Sequence, residues 1–340
     1  METTPQATPI GRVIGLSAAL ALIVGVLTLA FAWPSAGMGP NEVPIAVIGP
    51  DEAAAQVQAQ LDEAEPDGFD VTAVADPAEA ETLIKDREVY AAFAITPTSV
   101  DLYTASAASP TVARLVTGIA DQMAAHMGQA AGQPVEVNVE DLVPLPADDP
   151  NGAGLAASAF PMAMGGIVIA ALIAFGVRGS GRQAAAGVLA PLAVGAGVAA
   201  ILMYVLESID GDYAAIAGAL ALTMAATAWG ILGLAKLLGR VGIALGAVIV
   251  MLVGNPLSGM TGAPELLPAP WGGFGQFLSP GAGGTLVRST AYFDGNGGEA
   301  AVWVLSGWIV VGVLLFTIGA VRAKVQGVRD ETKEPAAAAV

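Results

Sequence analysis

Six long apolar blocks without acidic or basic residues constrain this chain more than any other feature. None of them shows the polar stripe at helical period that marks a buried helix of a soluble protein. A helix needs about 20 apolar residues to cross the bilayer core. The blocks therefore predict a polytopic α-helical membrane protein with six transmembrane helices, over residues 13–33, 159–177, 184–206, 214–235, 241–260 and 300–321.

The positions of the basic residues predict the orientation of these spans. Nine of the 13 Lys and Arg residues fall on one side of the membrane if the N-terminus is cytoplasmic, which is the positive-inside pattern. An odd number of spans would break this agreement. We therefore predict a multi-pass protein of the plasma membrane, with residues 1–12 and a disordered tail, residues 323–340, both in the cytoplasm. The nine residues are Arg12, Arg178, Arg182, Lys236, Arg240, Arg322, Lys324, Arg329 and Lys333.

The N-terminal block has a second interpretation. Arg12, an apolar run and the sequence Ala30-Phe31-Ala32 also fit a cleavable signal peptide. The apolar run is longer than the core of about 7–15 residues usual in such signals, and this favours an uncleaved membrane anchor.

The charge of the chain is concentrated between the first two spans. Residues 34–158 contain 20 acidic and three basic residues, a net charge of −17 that equals the net charge of the whole chain. This composition predicts a solvated extracytoplasmic domain over residues 34–157. Its acidity disfavours nucleic acid and anionic head groups as partners.

Strand and helix signals alternate through this acidic region, which predicts an inserted α/β (α+β) domain of about 100 residues. The stretch "VPIAVIG" is typical of a buried strand. Asp76, Pro77 and Glu79 have the spacing of a helix N-cap, a first helical proline and a capping box. The single histidine, His126, is interpreted as a surface residue near the end of a helix.

The stretch "GNPLSGMTGAPELLPAPWGGFGQFLSPGAGG", residues 254–284, has nine glycines, five prolines and one charged residue, Glu265. Such backbone is tolerated at membrane depth only where it packs in protein or lines a wet cavity. We therefore predict a re-entrant segment over residues 261–294. Pro256 ends the fifth span. Trp271, Phe274 and Phe277 lie at the membrane interface, and Arg288 and Asp294 reach water.

Three stretches carry a resemblance to a known family: "VPIAVIGPDEA", "EVYAAFAITPTSVDLYTASAASPTVARL" and "GNPLSGMTGAPELLPAPWGGFGQFLSPGAGGTLVRSTAYFDG". With the order of spans, they resemble the type-2 ABC exporter permeases, in particular the branch that includes the phage-infection-protein family. The resemblance covers nearly the whole chain. It implies a re-entrant segment before the last span and a separate ATPase subunit as partner. The loops "RGSGR" and "KLLGR" leave little cytoplasmic surface for such a subunit, so ATP coupling is lost or altered under this interpretation.

The first functional hypothesis is a permease-like subunit that works as a homodimer among membrane lipids and exports an amphipathic or lipid-like compound. No charged residue lies within the predicted spans, which argues against an ion or proton relay. The residues predicted to form or gate the pathway are Asn255, Pro256, Ser258, Trp271, Phe274, Gln276, Arg288 and Asp294.

Two other classes remain as alternatives. A cell-surface receptor or scaffold would use the outer domain to bind an envelope or secretion partner, and the short cytoplasmic loops favour it. An enzyme is disfavoured, because the sequence shows no nucleotide-binding motif and no catalytic constellation. No catalytic, cofactor or metal site is predicted.

Overall fold

The computed structural model describes the backbone of residues 8–337 and the side chains of residues 8–326. Residues 1–7 and 338–340, which belong to the predicted cytoplasmic termini, lie outside the described residues. Within the described part, five helices are long and apolar enough to cross a membrane. They are α1 (Ile10–Ala36), α5 (Ala153–Gly176), α6 (Ser180–Tyr204), α7 (Tyr213–Leu238) and α11 (Glu299–Ala337).

The fifth predicted span, residues 241–260, is not one helix of spanning length. It consists of α8 (Arg240–Val248), which continues as a π-helical turn over Ile249–Gly254. These 15 residues rise at most about 22 Å, less than the roughly 30 Å of a hydrocarbon core. Asn255 and Pro256 end the helical backbone, because Pro256 has no N–H to donate. Helix length therefore supports five spans and one shorter apolar segment.

The last helix extends further than predicted. Residues 323–340 were predicted as a disordered tail, but α11 continues to Ala337. Its sequence contains no proline between Glu299 and Glu334 that would interrupt the backbone hydrogen bonds.

Helix α7 is the centre of the bundle. In its most apolar 18-residue window 72% of the residues are buried, against 22–33% in α5, α6 and α11 and none in α1. Glycines allow the closest contacts with α11: a Cβ on Gly312 would overlap the Trp229 carbonyl, and a Cβ on Gly233 would lie 2.5 Å from the Gly312 carbonyl. Small residues of this kind let membrane helices approach each other.

The pair Gly242 and Gly246 also serves packing within the monomer. A Cβ on Gly242 would overlap the Leu234 carbonyl, and a Cβ on Gly246 would lie 2.7 Å from Ile231 Cγ1. Because Leu234 and Ile231 belong to α7, this Gly-x-x-x-Gly pair holds α8 against α7.

The acidic region folds into a five-stranded mixed sheet with the strand order β2-β1-β3-β4-β5. Strands β3 and β4 are antiparallel, and the other neighbours are parallel. Its elements are β1 (Val43–Ile48), α2 (Asp51–Ala64), β2 (Phe69–Val74), α3 (Pro77–Lys85), β3 (Ala91–Ile95), β4 (Ser99–Thr104), α4 (Pro110–Ala131) and β5 (Glu136–Asp141).

Helices α2 and α4 cover one face of the sheet, and α3 covers the other. The predicted cap of α3 is confirmed: the Asp76 carboxylate accepts hydrogen bonds from the backbone N–H groups of Ala78 and Glu79. The Glu79 carboxylate accepts from the N–H of Ala75. Ser109 caps α4 by accepting from the Val112 N–H.

The broken segment, residues 255–298, packs between the bundle and the sheet domain. It contains a 3₁₀ turn (Pro264–Leu266) and two helices, α9 (Trp271–Gln276) and α10 (Ser279–Tyr292). Helix α10 packs against α7 and α11, and nearly all its residues are buried. Ala263 and Leu266 enter the core between the sheet and helices α2 and α4, so the segment joins both parts of the molecule.

The contact between α7 and α11 generates a stability prediction. Gly312→Ala places a methyl group against the Trp229 carbonyl and should lower the free energy of unfolding by about 1–3 kcal/mol, the usual cost of overpacking. The control is Gly307→Ala in the same helix, where an added Cβ has no neighbour within 4 Å. Thermal unfolding of the purified protein in detergent compares the two, and equal midpoints would contradict the packing described.

Candidate functional site

A cavity of about 290 Å³ lies where the sheet domain meets the broken segment and α11. We call it the junction cavity. One part of its wall is polar and comes from the loop after α3, the 3₁₀ turn and helices α9 and α10; another part is apolar and comes mainly from α9 and α11. Its lining residues are Pro44, Arg87, Val89, Tyr90, Ala108, Pro264, Glu265, Gln276, Phe277, Ala282, Thr285, Gly297, Ala300, Ala301 and Val304.

Arg87 brings a positive charge from the sheet domain to the broken segment. Its Nη1 donates to the Ser289 hydroxyl and, over 3.3 Å, to the Thr285 carbonyl. Its guanidinium carbon lies 5.3 Å from the centre of the Phe293 ring, a cation–π distance. Burial lowers the pKa of Arg87 below its ordinary value, whereas Tyr90 and Glu265 oppose this shift. An arginine remains charged under such conditions.

Tyr90 and Glu265 form the second polar contact between the two parts of the molecule. The Tyr90 hydroxyl donates to Glu265 Oε2 over 2.7 Å. Burial raises the pKa of Tyr90 far above its ordinary value, and the Glu265 carboxylate raises it further through its charge and this hydrogen bond. Tyr90 is therefore a neutral donor at physiological pH.

Gln276 links three parts of the broken segment. Its Nε2 donates to the Ser258 carbonyl over 3.2 Å, and its Oε1 accepts from the Thr285 hydroxyl over 2.7 Å. The Ser258 hydroxyl donates to the Asn255 carbonyl and does not line the cavity. Of the predicted pathway residues, Gln276 alone lines the junction cavity.

The prediction that Arg288 reaches water is wrong. Arg288 is only 7% exposed, and its Nη2 donates to the Met260 carbonyl over 3.0 Å. The reason is that residues 279–292 form the helix α10, and Arg288 is one of its buried residues. Asp294, just beyond that helix, is exposed as predicted and lines a different depression with Asp212 and Thr290.

Of the predicted aromatic residues, Phe277 lines the cavity, whereas Trp271 and Phe274 form a cluster apart from it. The rings of Trp271 and Phe274 meet edge to face at 6.0 Å, and Trp33 at the end of α1 meets Trp271 at 5.9 Å. All three rings are between 39% and 46% exposed. Asn255 and Pro256 lie where the π-helical turn ends, and the Asn255 side-chain oxygen is buried without a hydrogen-bond partner among the described residues.

Sequence reasoning missed four polar residues of this site: Arg87, Tyr90, Thr285 and Ser289. Two signals pointed towards the site. Glu265 is the one charged residue of residues 254–284, and Arg87 is one of three basic residues in an acidic domain. Neither signal indicates which distant residues meet, since Arg87 and Ser289 are 202 positions apart.

A larger cavity of about 670 Å³ lies between α2 and α4 on the sheet domain. It is lined mainly by apolar side chains, with Gln56, Gln60, Gln122 and His126 among its polar groups. His126 is exposed near the end of α4, as predicted, and it also lines this groove. No group of three or more His, Cys, Asp or Glu residues that could hold a metal ion occurs among the described residues.

Comparisons of the chain with protein-family models, with curated proteins and with solved structures gave no match.

The contact between Tyr90 and Glu265 can be tested by removing one hydroxyl. Tyr90→Phe leaves a partly buried carboxylate without its donor, and should lower the free energy of unfolding by about 1–2 kcal/mol. Tyr103→Phe, in β4, is the matched control, because the Tyr103 hydroxyl makes no hydrogen bond among the described residues. Thermal unfolding of both variants and of Glu265→Gln measures the effect; equal midpoints for the two tyrosine variants would show that the contact contributes nothing.

Proposed function

We propose that this protein is a permease-like membrane subunit that exports an amphipathic or lipid-like compound across the plasma membrane. The junction cavity carries the proposal. Its polar wall includes Arg87, Tyr90 and Gln276, and its apolar wall includes Phe277 and Val304. A compound with a polar end and an apolar end would find a suitable environment for both.

The apolar mouth of the cavity supports entry from lipid. Phe277 is 68% exposed, and Ala300 is exposed on the first turn of α11. Trp303, one residue before Val304, is 78% exposed. Large apolar side chains with this exposure are expected to face acyl chains, so an amphiphile could reach the cavity sideways between α9 and α11.

The proposed topology has six membrane segments, with the shorter α8 and its π-helical turn as the fifth, and both termini in the cytoplasm. The distribution of basic residues supports it. In this orientation the sheet domain is extracytoplasmic, and the broken segment is a re-entrant segment in the outer half of the bundle. The junction cavity then lies at the outer surface, where an exported compound would leave.

The partners are part of the same proposal. A homodimer is supported by α1, which is unburied along its apolar window and contacts the rest of the described chain near Trp33. A separate ATPase subunit would be the energy source that the resemblance to type-2 ABC exporters implies. The proposed cytoplasmic turns are short, only residues 177–179 between α5 and α6 and Gly239 between α7 and α8, so such a subunit would bind mainly elsewhere.

The groove between α2 and α4 favours a second candidate function. It is apolar, has a rim of glutamine side chains and belongs to a domain that projects from the bundle. A receptor or scaffold would use such a groove to bind an envelope or secretion partner. A compound that is exported only by cells with the protein, and still exported when the groove is blocked, favours the permease. An envelope protein that is released when the groove is blocked, from cells whose exported compounds do not depend on the protein, favours the receptor.

The permease proposal predicts that filling the junction cavity stops export. Ala300→Trp adds a bulky side chain to the cavity wall at an exposed position, so the fold should persist. Mass spectrometry of lipids and amphiphiles extracted from the cell surface and medium should show that at least one compound falls to the level of cells without the protein.

The matched control is Val310→Trp, which adds the same side chain to α11 at a lipid-exposed position outside the cavity. This variant should export at the wild-type level. The proposal fails if Ala300→Trp and wild type leave the same compounds at the surface while both are present in the membrane in equal amounts.

A further inference from the structure

We propose that the junction cavity selects an amphiphile with an anionic head group, and that Arg87 is the residue that binds this group. The inference rests on the proposed function, because it names the class of compound that enters the same cavity. Its basis is the local balance of charge, which differs from that of the sheet domain as a whole.

One arginine and one carboxylate line the cavity, and a second arginine, which lines a separate depression, lies behind the wall. Arg87 and Glu265 line it, and Arg288 lies close enough to interact electrostatically with both of them and with Tyr90. Tyr90 is neutral, so it does not supply a second negative charge. Neither guanidinium forms an ion pair within 4 Å among the described side chains, where the one ion pair joins Lys85 and Glu81.

The cavity wall carries one positive and one negative group, but the Glu265 carboxylate already accepts the Tyr90 hydroxyl, whereas the Arg87 guanidinium has no carboxylate within 4 Å among the described residues. Arg288 behind the wall adds to the positive potential. Burying a charge without a partner is costly, and a ligand of opposite sign offsets that cost. The net charge of −17 of the sheet domain keeps anions away from its general surface. A cavity that is locally positive would therefore be a selective site for an anion on an otherwise acidic domain.

The geometry of Arg87 leaves part of its guanidinium available. Nη1 is used by Ser289 and Thr285, and Nε is buried without a hydrogen-bond partner, whereas Nη2 is not buried and makes no hydrogen bond among the described residues. Residues 296 and 297 of the broken segment contact the loop that carries Arg87. Gly297 packs against Arg87, and Asn296 donates to the Asp86 carboxylate over 3.0 Å. The guanidinium is thus positioned with donors to spare for an oxyanion.

The size of the cavity decides which part of the amphiphile it holds. About 290 Å³ is near the lower limit of ligand pockets, which is enough for a head group but too small for a complete lipid. The acyl chains would pass Phe277 and Val304 and remain among the membrane lipids. The class of ligand is therefore a phosphate- or carboxylate-bearing amphiphile of the outer leaflet.

Photocrosslinking in vesicles tests this assignment. The full-length protein is reconstituted in phosphatidylcholine vesicles that contain a small fraction of phosphatidylglycerol with a photoactivatable acyl chain, or of phosphatidylcholine with the same chain. The anionic probe should label residues around Phe277 and Val304 more strongly than the zwitterionic probe, as mapped by peptide mass spectrometry. Arg87→Gln should reduce this preference roughly tenfold, because a hydrogen bond to a charged group is lost.

Two variants control for folding and for net charge. Arg87→Lys keeps the charge and should keep most of the preference. Lys85→Gln removes one positive charge two positions away, outside the cavity, and should label like wild type. Equal labelling by the two probes, or an unchanged preference in Arg87→Gln, overturns the inference. Displacement of the lipid by an excess of glycerol phosphate would also overturn it, since the ligand would then be a soluble phosphate.

The export assay separates failure of this inference from failure of the proposed function. If both lipids label the protein equally and Ala300→Trp abolishes export, the anionic selectivity is rejected and the permease proposal is retained. If the anionic probe labels strongly and Ala300→Trp leaves export intact, the permease proposal is rejected and a lipid-binding site is retained.

Discussion

The pairing of backbone polar groups in the broken segment is the constraint on which the rest of this structure depends. A helix satisfies its own N–H and C=O groups, but residues 255–298 leave helical geometry several times, so these groups need other partners wherever the segment is out of reach of water. Side chains and neighbouring backbone supply them. Gln276 donates to the Ser258 carbonyl, Arg288 to that of Met260, Trp308 to that of Phe277 and Asn41 to that of Leu267, while the N–H of Gly39 donates to the Leu266 carbonyl. The glycines of the segment allow the backbone to approach these neighbours closely. A Cβ on Gly272, Gly275 or Gly281 would overlap a neighbouring carbonyl.

These contacts explain why the sheet domain and the bundle form one molecule with a cavity between them. Asn41 comes from the linker before β1, and Arg87 and Tyr90 come from the loop between α3 and β3, so the sheet domain supplies groups that the broken segment lacks. These polar contacts surround the junction cavity of about 290 Å³. The space that remains is bounded by charges on one side and by apolar side chains on the other, which is the arrangement an amphiphile requires.

Much of the fold could be predicted from local pattern, and the candidate site could not. Charge-free blocks locate the long helices to within about six residues at each end, except for the C-terminal end of α11, and Asp76 and Ser109 mark two helix starts, because these signals act within one or two turns. Helix α10 was missed because Gly281, Gly283 and Gly284 give it low intrinsic helix propensity, and packing on α7 and α11 outweighs that preference. The burial of Arg288 follows from that missed helix. The approach of Arg87 to Ser289 depends on the whole topology, so no local pattern could reveal it.

The placement of the broken segment at the outer surface, below an extracytoplasmic sheet domain, is the central claim, and cysteine accessibility tests it most directly. The chain has no cysteine, so single substitutions can be labelled without background. In intact cells, a membrane-impermeant maleimide should label Asp62→Cys on the sheet domain and Asp294→Cys at the end of the segment. It should label Gly181→Cys, in the exposed first turn of α6, only after the membrane is permeabilised. Labelling of Gly181→Cys in intact cells while the other two positions stay protected would contradict the account.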